Sequence, residues 1–167
     1  MLYGDGAVVA VPPKLIWFRD TDGDGKADQQ TVLASDFATE DDATKHGERA
    51  NPEHSSNSPT WVLDNWIYAA NHRSRYRVQP DGTWKAEPTI FRGQWGLSQD
   101  DQGRLVFNSN SDWLRGDFIP SHYLARNPYL KGGTGADVQL IADQRVWPGR
   151  VNPGVNRGYQ PGTLNPD

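Results

Sequence analysis

The most chemically loaded stretch of the chain is Asp20-Thr21-Asp22-Gly23-Asp24-Gly25-Lys26-Ala27-Asp28, which reads D-x-D-x-D-G-x-x-D. Alternate aspartates in a tight loop turn their carboxylates to one side, and Gly25 permits the sharp bend. Such closely spaced carboxylates repel one another unless a cation lies among them, and Ca²⁺, a hard ion, takes about six to eight oxygen ligands. The spacing makes Asp20, Asp22 and Asp24 side-chain ligands and Lys26 a carbonyl ligand, with Asp28 binding directly or through water. Thr31 stands where an EF-hand carries its bidentate Glu, and no helical periodicity flanks the loop. The pattern therefore predicts an EF-like structural calcium loop within a strand connection rather than a helix-loop-helix sensor. The alternative is a solvated acidic turn.

Other residues with chemical potential are more scattered. His54 lies in Asn51-Pro52-Glu53-His54-Ser55-Ser56-Asn57, just before an expected strand, and an imidazole there titrates near neutral pH and suits a general base. A hydrogen-bonded loop histidine fits the same spacing. His46, His72 and His122 have weaker contexts. Arg92 reads as a surface residue or a salt-bridge residue between blades. Asn156 and Arg157, in a Pro- and Gly-rich stretch, suit either a site loop or loop packing. The absence of cysteine excludes disulfides, thiolate metal sites, thiol nucleophiles and thioether-linked haem within these residues.

The elements that would position these groups are short. Seven Trp, six Tyr and five Phe supply apolar bodies, while seventeen Gly and twelve Pro interrupt the chain too often for long helices. Strand-like runs occur at 6–11, 15–18, 61–63, 66–70, 76–78 and 105–108, punctuated by Pro12-Pro13, Pro80-Asp81-Gly82 and Asp100-Asp101-Gln102-Gly103. The segments led by Trp61 and Trp95 resemble one another as strand, acidic turn and aromatic-ended strand, at a spacing of 34 residues. A propeller blade spans roughly 40 to 50 residues and a ring has about 4 to 8 blades. The chain thus reads as all-β, a partial β-propeller of about three blades with long loops. Residues 1–45 would form a partial blade with the calcium loop, 46–92 and 93–145 two further blades, and 146–167 a loop or tail. The tryptophans are expected mainly in core and inter-blade packing, with Trp95 and Trp113 as candidate platforms for a ligand.

The net charge of −4 is mild and the basic residues are dispersed among acids, which argues against a nucleic-acid partner. No apolar run approaches the roughly 20 residues needed to cross a bilayer, and no secretion signal opens the sequence.

Taken together, Trp17-Phe18-Arg19 with the aspartate loop, Asn51-Pro52-Glu53-His54, Leu63-Asp64-Asn65-Trp66-Ile67-Tyr68, Phe91-Arg92-Gly93-Gln94-Trp95-Gly96, Asn108-Ser109-Asn110-Ser111-Asp112 and the run from Val151 through Asn156 and Arg157 to Gly162 closely resemble the membrane-bound dehydrogenase domain of planctomycete and verrucomicrobial proteins. That family is similar to the soluble glucose and sorbosone dehydrogenases, six-bladed propellers that bind Ca²⁺ and pyrroloquinoline quinone (PQQ). The resemblance implies an internal segment of a periplasmic or secreted quinoprotein, often followed by a c-type cytochrome domain. It further implies His54 as the base that removes the proton of a sugar or alcohol hydroxyl while hydride passes to the quinone. It makes Arg92 a contact to the quinone carboxylates and places Arg157 and Asn156 at the cofactor. Two positions depart from the pattern. Gly93 stands where an Asn follows the arginine, and the acid that orients the base falls near Asn71 and His72. The rival expectation is a non-catalytic, Ca²⁺-stabilised propeller that binds carbohydrate or a protein partner.

Overall fold

The computed structural model describes residues 1–37, 55–109, 112–129 and 135–145. Nearly all regular structure among them is β. Strands β1 (Leu2–Tyr3), β2 (Gly6–Val11), β3 (Lys14–Arg19) and β4 (Gln29–Ala34) form the first sheet. The second contains β5 (Asn57–Trp61), β6 (Ile67–Ala70), β7 (Ser74–Val78) and β8 (Trp84–Pro88). The third contains β9 (Leu97–Gln99), β10 (Leu105–Phe107), β11 (Arg115–Gly116) and β12 (Val138–Gln139), with a short helix α1 (Ser121–Ala125) between the last two. Each sheet is an antiparallel meander in chain order, and none closes into a barrel among the described residues.

Local chemistry sets these strands. Three five-residue turns, 62–66, 79–83 and 100–104, share one hydrogen-bond pattern: the first N–H donates to the last carbonyl, and the fourth N–H returns to the first carbonyl. The fourth residue must adopt positive φ, and the positions are filled by Asn65 (67°), Gly82 (81°) and Gly103 (75°). Asp64 and Asp81 accept the N–H two residues on, from Trp66 and Thr83. Asp100 accepts from both Gln102 and Arg104. The turns beginning at 62 and 100 are 38 residues apart, so the structural repeat is longer than the tryptophan spacing indicates.

Several boundaries differ from those the sequence pattern suggests. The strand expected at 61–63 lies instead at Asn57–Trp61. Asn57, Ser58 and Pro59 have low strand propensity, and the register shifts between Asn57 and Thr60 with Ser58 at φ 51°. A bulge is one of the few places a strand accepts proline. The first sheet has four strands, because the two-residue β1 is too short to show any periodicity. Beyond residue 111, where the pattern weakens, β11, α1 and β12 are equally short.

The sheets stack face against face. β2 lies beside β5, and β5 beside β9. The middle sheet is covered on both sides, so all four residues of β6 are buried. Strand alternation divides them: Ile67 and Ala69 join Val8, Leu15, Ala34, Phe37 and Tyr76 in a core shared with the first sheet. Tyr68, with Trp66 and Val62, packs on Leu105 and Phe107 of the third. Tryptophans bridge the first interface as expected, with Tyr3 5.1 Å from Trp61 and 5.4 Å from Trp84, and Trp17 5.8 Å from Trp84. Across the second interface Thr60 Oγ1 donates to the Leu97 carbonyl (3.2 Å), and the Gln99 amide links Leu63 N–H to the Trp61 carbonyl.

A polar chain is buried in the first core. Ser56 Oγ donates to the Asn71 carbonyl (2.8 Å), so it must accept from His72 Nδ1 (3.0 Å). His72 Nε2 is then an acceptor, and takes the Tyr76 hydroxyl at 2.6 Å. The network thus fixes the neutral Nδ1–H tautomer. Burial depresses the His72 pKa to about 4, against a small opposing pull from Asp36. Because the folded value lies below the unfolded one, the stabilisation is present above about pH 6.5 and is lost as pH falls toward 4. Its full size is on the order of 3 kcal/mol. Denaturant unfolding between pH 7.5 and 4.5 is expected to show one more proton taken up on unfolding by the wild type than by His72→Gln; parallel stability profiles would contradict this.

Candidate functional site

The acidic loop joins β3 to β4 and is closed by Asp28 N–H donating to the Arg19 carbonyl (2.9 Å). Within it each carboxylate accepts backbone N–H groups. Asp20 takes Gly23 (2.7 Å) and Gly25 (2.8 Å), Asp22 takes Asp24 (3.2 Å), and Asp24 takes Lys26 (2.8 Å). Gly25 has φ 84°, as the bend requires. The Gly25 and Gly23 N–H groups hold the Asp20 carboxyl below its ordinary range. One oxygen from each of Asp20, Asp22 and Asp24 lies within 4.8 Å of the others. These are hard donors with unused lone pairs, a set that fits Ca²⁺. Asp28 is turned elsewhere: its two oxygens accept Thr21 N–H (3.1 Å) and Thr21 Oγ1 (2.6 Å). Lys26 extends its ammonium to 4.0 Å from Asp24.

Arg92 is enclosed between the second and third sheets, with only 1% of its surface exposed. Its Nε faces Asp117 Oδ2 at 3.3 Å, one terminal nitrogen donates to Thr89 Oγ1 (3.0 Å), and the guanidinium lies 5.1 Å from the Tyr68 ring centre. Asp117 also accepts the Asp137 N–H (2.8 Å). Burial lowers the Arg92 pKa and raises that of Asp117, in each case against the attraction of the partner. The pair therefore clips two sheets together. Gly93 follows at φ 63°, where an added Cβ would come 3.3 Å from both the Asn108 carbonyl and Phe107 Cβ. The positive φ and the tight contacts both favour glycine at this position. Asn71 and His72 belong to the same corner: Asn71 donates from its backbone to the Arg92 carbonyl (3.0 Å) and from its side chain to Gln94 O (3.2 Å). His54, Asn156 and Arg157 lie outside the described residues.

The structure also brings together a site that the sequence pattern did not single out. A cleft of about 750 Å³ opens between the second and third sheets, roofed by the α1 segment. At its base Arg75 stacks 4.1 Å from the Trp66 ring, donates to Glu87 (2.7 Å) and to the Tyr68 hydroxyl (2.9 Å), and stands 3.5 Å from Asp64. Glu87 also meets Lys85 (2.8 Å) and Arg126 (3.4 Å). Lys85 first, then Arg75, hold the Glu87 carboxyl down at about 2. Burial, helped by the Asp64 hydrogen bond, pushes the Tyr68 hydroxyl up to about 12. The only sequence signal for this cleft is local: Arg75 and Arg77 alternate with Tyr76, placing both guanidinium groups on the face away from the first sheet. Asp117 and Glu87 join through the fold, and nothing near them in sequence announces it.

With this geometry in hand, the chain is placed by comparison: it belongs to the family described as a domain of unknown function (DUF7133), whose model matches residues 1–163. No curated protein and no solved structure matches it.

The buried pair makes a direct forecast. Asp117→Ala leaves an uncompensated guanidinium and should cost about 3–5 kcal/mol by denaturant unfolding, whereas Arg92→Met combined with Asp117→Leu should recover most of that loss. Wild-type stability in the single variant would show that the pair is not an inter-sheet clip.

Proposed function

We propose that this chain is an arc of a β-propeller, tied by Ca²⁺ at Asp20, Asp22 and Asp24, that acts as a non-catalytic module binding carbohydrate or a protein partner. The observation that carries this reading is the enclosure of Arg92 by Asp117 beside an open, aromatic- and arginine-lined cleft: the enzyme reading needs that guanidinium at a cofactor, while the cleft offers a ligand space of its own. Face-stacked four-stranded meanders whose early strands β2, β5 and β9 lie side by side suit radial packing about a common axis. The loop ties the long β3–β4 connection, lowering its mobility, which is a structural role for the metal. A periplasmic or secreted location fits a module of this kind.

A second reading is favoured by the motif resemblance: a segment of a quinoprotein dehydrogenase that passes hydride from a sugar or alcohol carbon to PQQ, with a c-type cytochrome domain as electron acceptor. PQQ would accept the hydride when bound; His54 would take the hydroxyl proton, and Asn156 and Arg157 would hold the cofactor. The two readings part in one assay. The whole ring, supplied with PQQ and Ca²⁺, is expected to reduce no dye with a panel of aldoses and alcohols while retaining carbohydrate or protein binding; substrate-dependent dye reduction lost in His54→Ala would replace the binding-module reading by the enzyme.

The metal is tested separately. Chelator is expected to lower the melting temperature of the chain, and Asp24→Ala to abolish the difference. A melting curve unmoved by chelation would reject the calcium loop.

A further inference from the structure

We infer that the cleft between the second and third sheets binds a small ligand carrying a carboxylate, which Arg77 and Arg126 receive beside His122. This rests on the reading of the cleft as a binding surface and narrows it to one chemistry.

The first argument is charge. Although the chain is net acidic, five arginine and lysine side chains line the cleft against three carboxylates. Those carboxylates are already engaged. Asp117 serves Arg92, and Asp64 accepts the Tyr68 hydroxyl (2.7 Å). Glu87 is shared by Arg75, Lys85 and Arg126, Arg75 being met also by Asp64 at 3.5 Å, while Arg104 is paired with Asp100. Two carboxylates among these three cations, with Arg77 beside them, leave an excess positive charge that a further anion would neutralise.

Unspent donors are the second argument. Among the described residues the Arg77 side chain has neither ion pair nor hydrogen bond, and its guanidinium lies 4.5 Å from the Trp66 ring centre. The stack fixes the plane of the fork while leaving its N–H edges available for bidentate contact with a carboxylate. His122 Nδ1 and Arg75 Nε are both buried at the cleft wall without a hydrogen-bond partner. His122 also feels Arg75 and Arg126, and with burial as the larger cause its pKa is depressed.

Size and shape complete the case. A space of about 750 Å³ matches the roughly 300–1,000 Å³ of small-molecule sites. Exposed Phe118 and Tyr123 at the rim offer apolar surface to the body of the ligand. The same carboxylate can come from an acidic sugar or from a simple organic acid.

Calorimetric titration of the full chain with glucuronate, succinate and glucose tests the inference. At least one of the two carboxylates is expected to bind and glucose not to bind. Glucuronate alone identifies an acidic sugar; succinate alone identifies an organic acid. Arg77→Gln and, independently, the solvent-exposed Arg126→Gln should each weaken binding at least tenfold, and the His122 ring resonances should shift on saturation. Arg77→Lys keeps the charge but loses the fork, and is expected to weaken binding as well. Affinity unchanged in both glutamine variants, or no binding by either carboxylate, overturns the inference. Glucose binding as tightly as glucuronate also overturns it, while leaving the carbohydrate-binding reading of the cleft intact.

Discussion

Everything else in this structure depends on burying the middle sheet from both sides. A four-stranded meander of such short strands cannot enclose a core alone, because each of its faces needs another surface. β6 resolves this with four residues whose alternation is apolar in both directions, Ile67 and Ala69 one way and Tyr68 with Trp66 the other. The two alanines present little side-chain volume, which permits close approach of the neighbouring sheets. Tyr68 is the pivot of the second interface, since its ring packs in the core, faces the Arg92 guanidinium, and its hydroxyl reaches both Asp64 and Arg75.

The two interfaces are held in different ways. The first is mainly apolar and aromatic, with one self-consistent polar chain from Tyr76 through His72 to Ser56. The second mixes a smaller apolar cluster with the Arg92–Asp117 pair and with bridges from the Asn57 and Gln99 side-chain amides and the Thr60 hydroxyl. Such a seam is less able to close completely, and the cleft opens along it. The groups that clip the sheets together and the groups that line the cleft are therefore neighbours: Arg92 and Arg75 both lie against Tyr68, the first fully enclosed and the second forming the floor.

The sequence was most legible where local chemistry decides the outcome. Pro80-Asp81-Gly82 and Asp100-Asp101-Gln102-Gly103 mark turns because positive φ is needed at Gly82 and Gly103, and β2 follows directly from its run of Val and Ala. The convergence of Asp20, Asp22 and Asp24 is also local, since each accepts N–H groups within five residues. Asp28 behaves differently because Thr21 offers it two donors across the loop neck. What could not be read were pairings across sheets. For Arg92 a salt bridge was legible in kind but its partner was not, since Asp117 reaches it from 25 residues away. β5 was displaced because a bulge at Ser58 and Pro59 breaks the alternation that identifies strands. The cleft was invisible because its charges meet only in the fold: Glu87 gathers Arg75 from the paired strand β7 and Arg126 from the end of α1.

The stacking of sheets on both faces of β6 is the claim on which the rest stands, and native-state hydrogen exchange measures it most directly. The account predicts that the Ile67–Ala70 amides exchange only through global unfolding, with protection at the top of the range for the chain. Exchange of those amides through local opening, at rates like those of the exposed acidic loop, would contradict it.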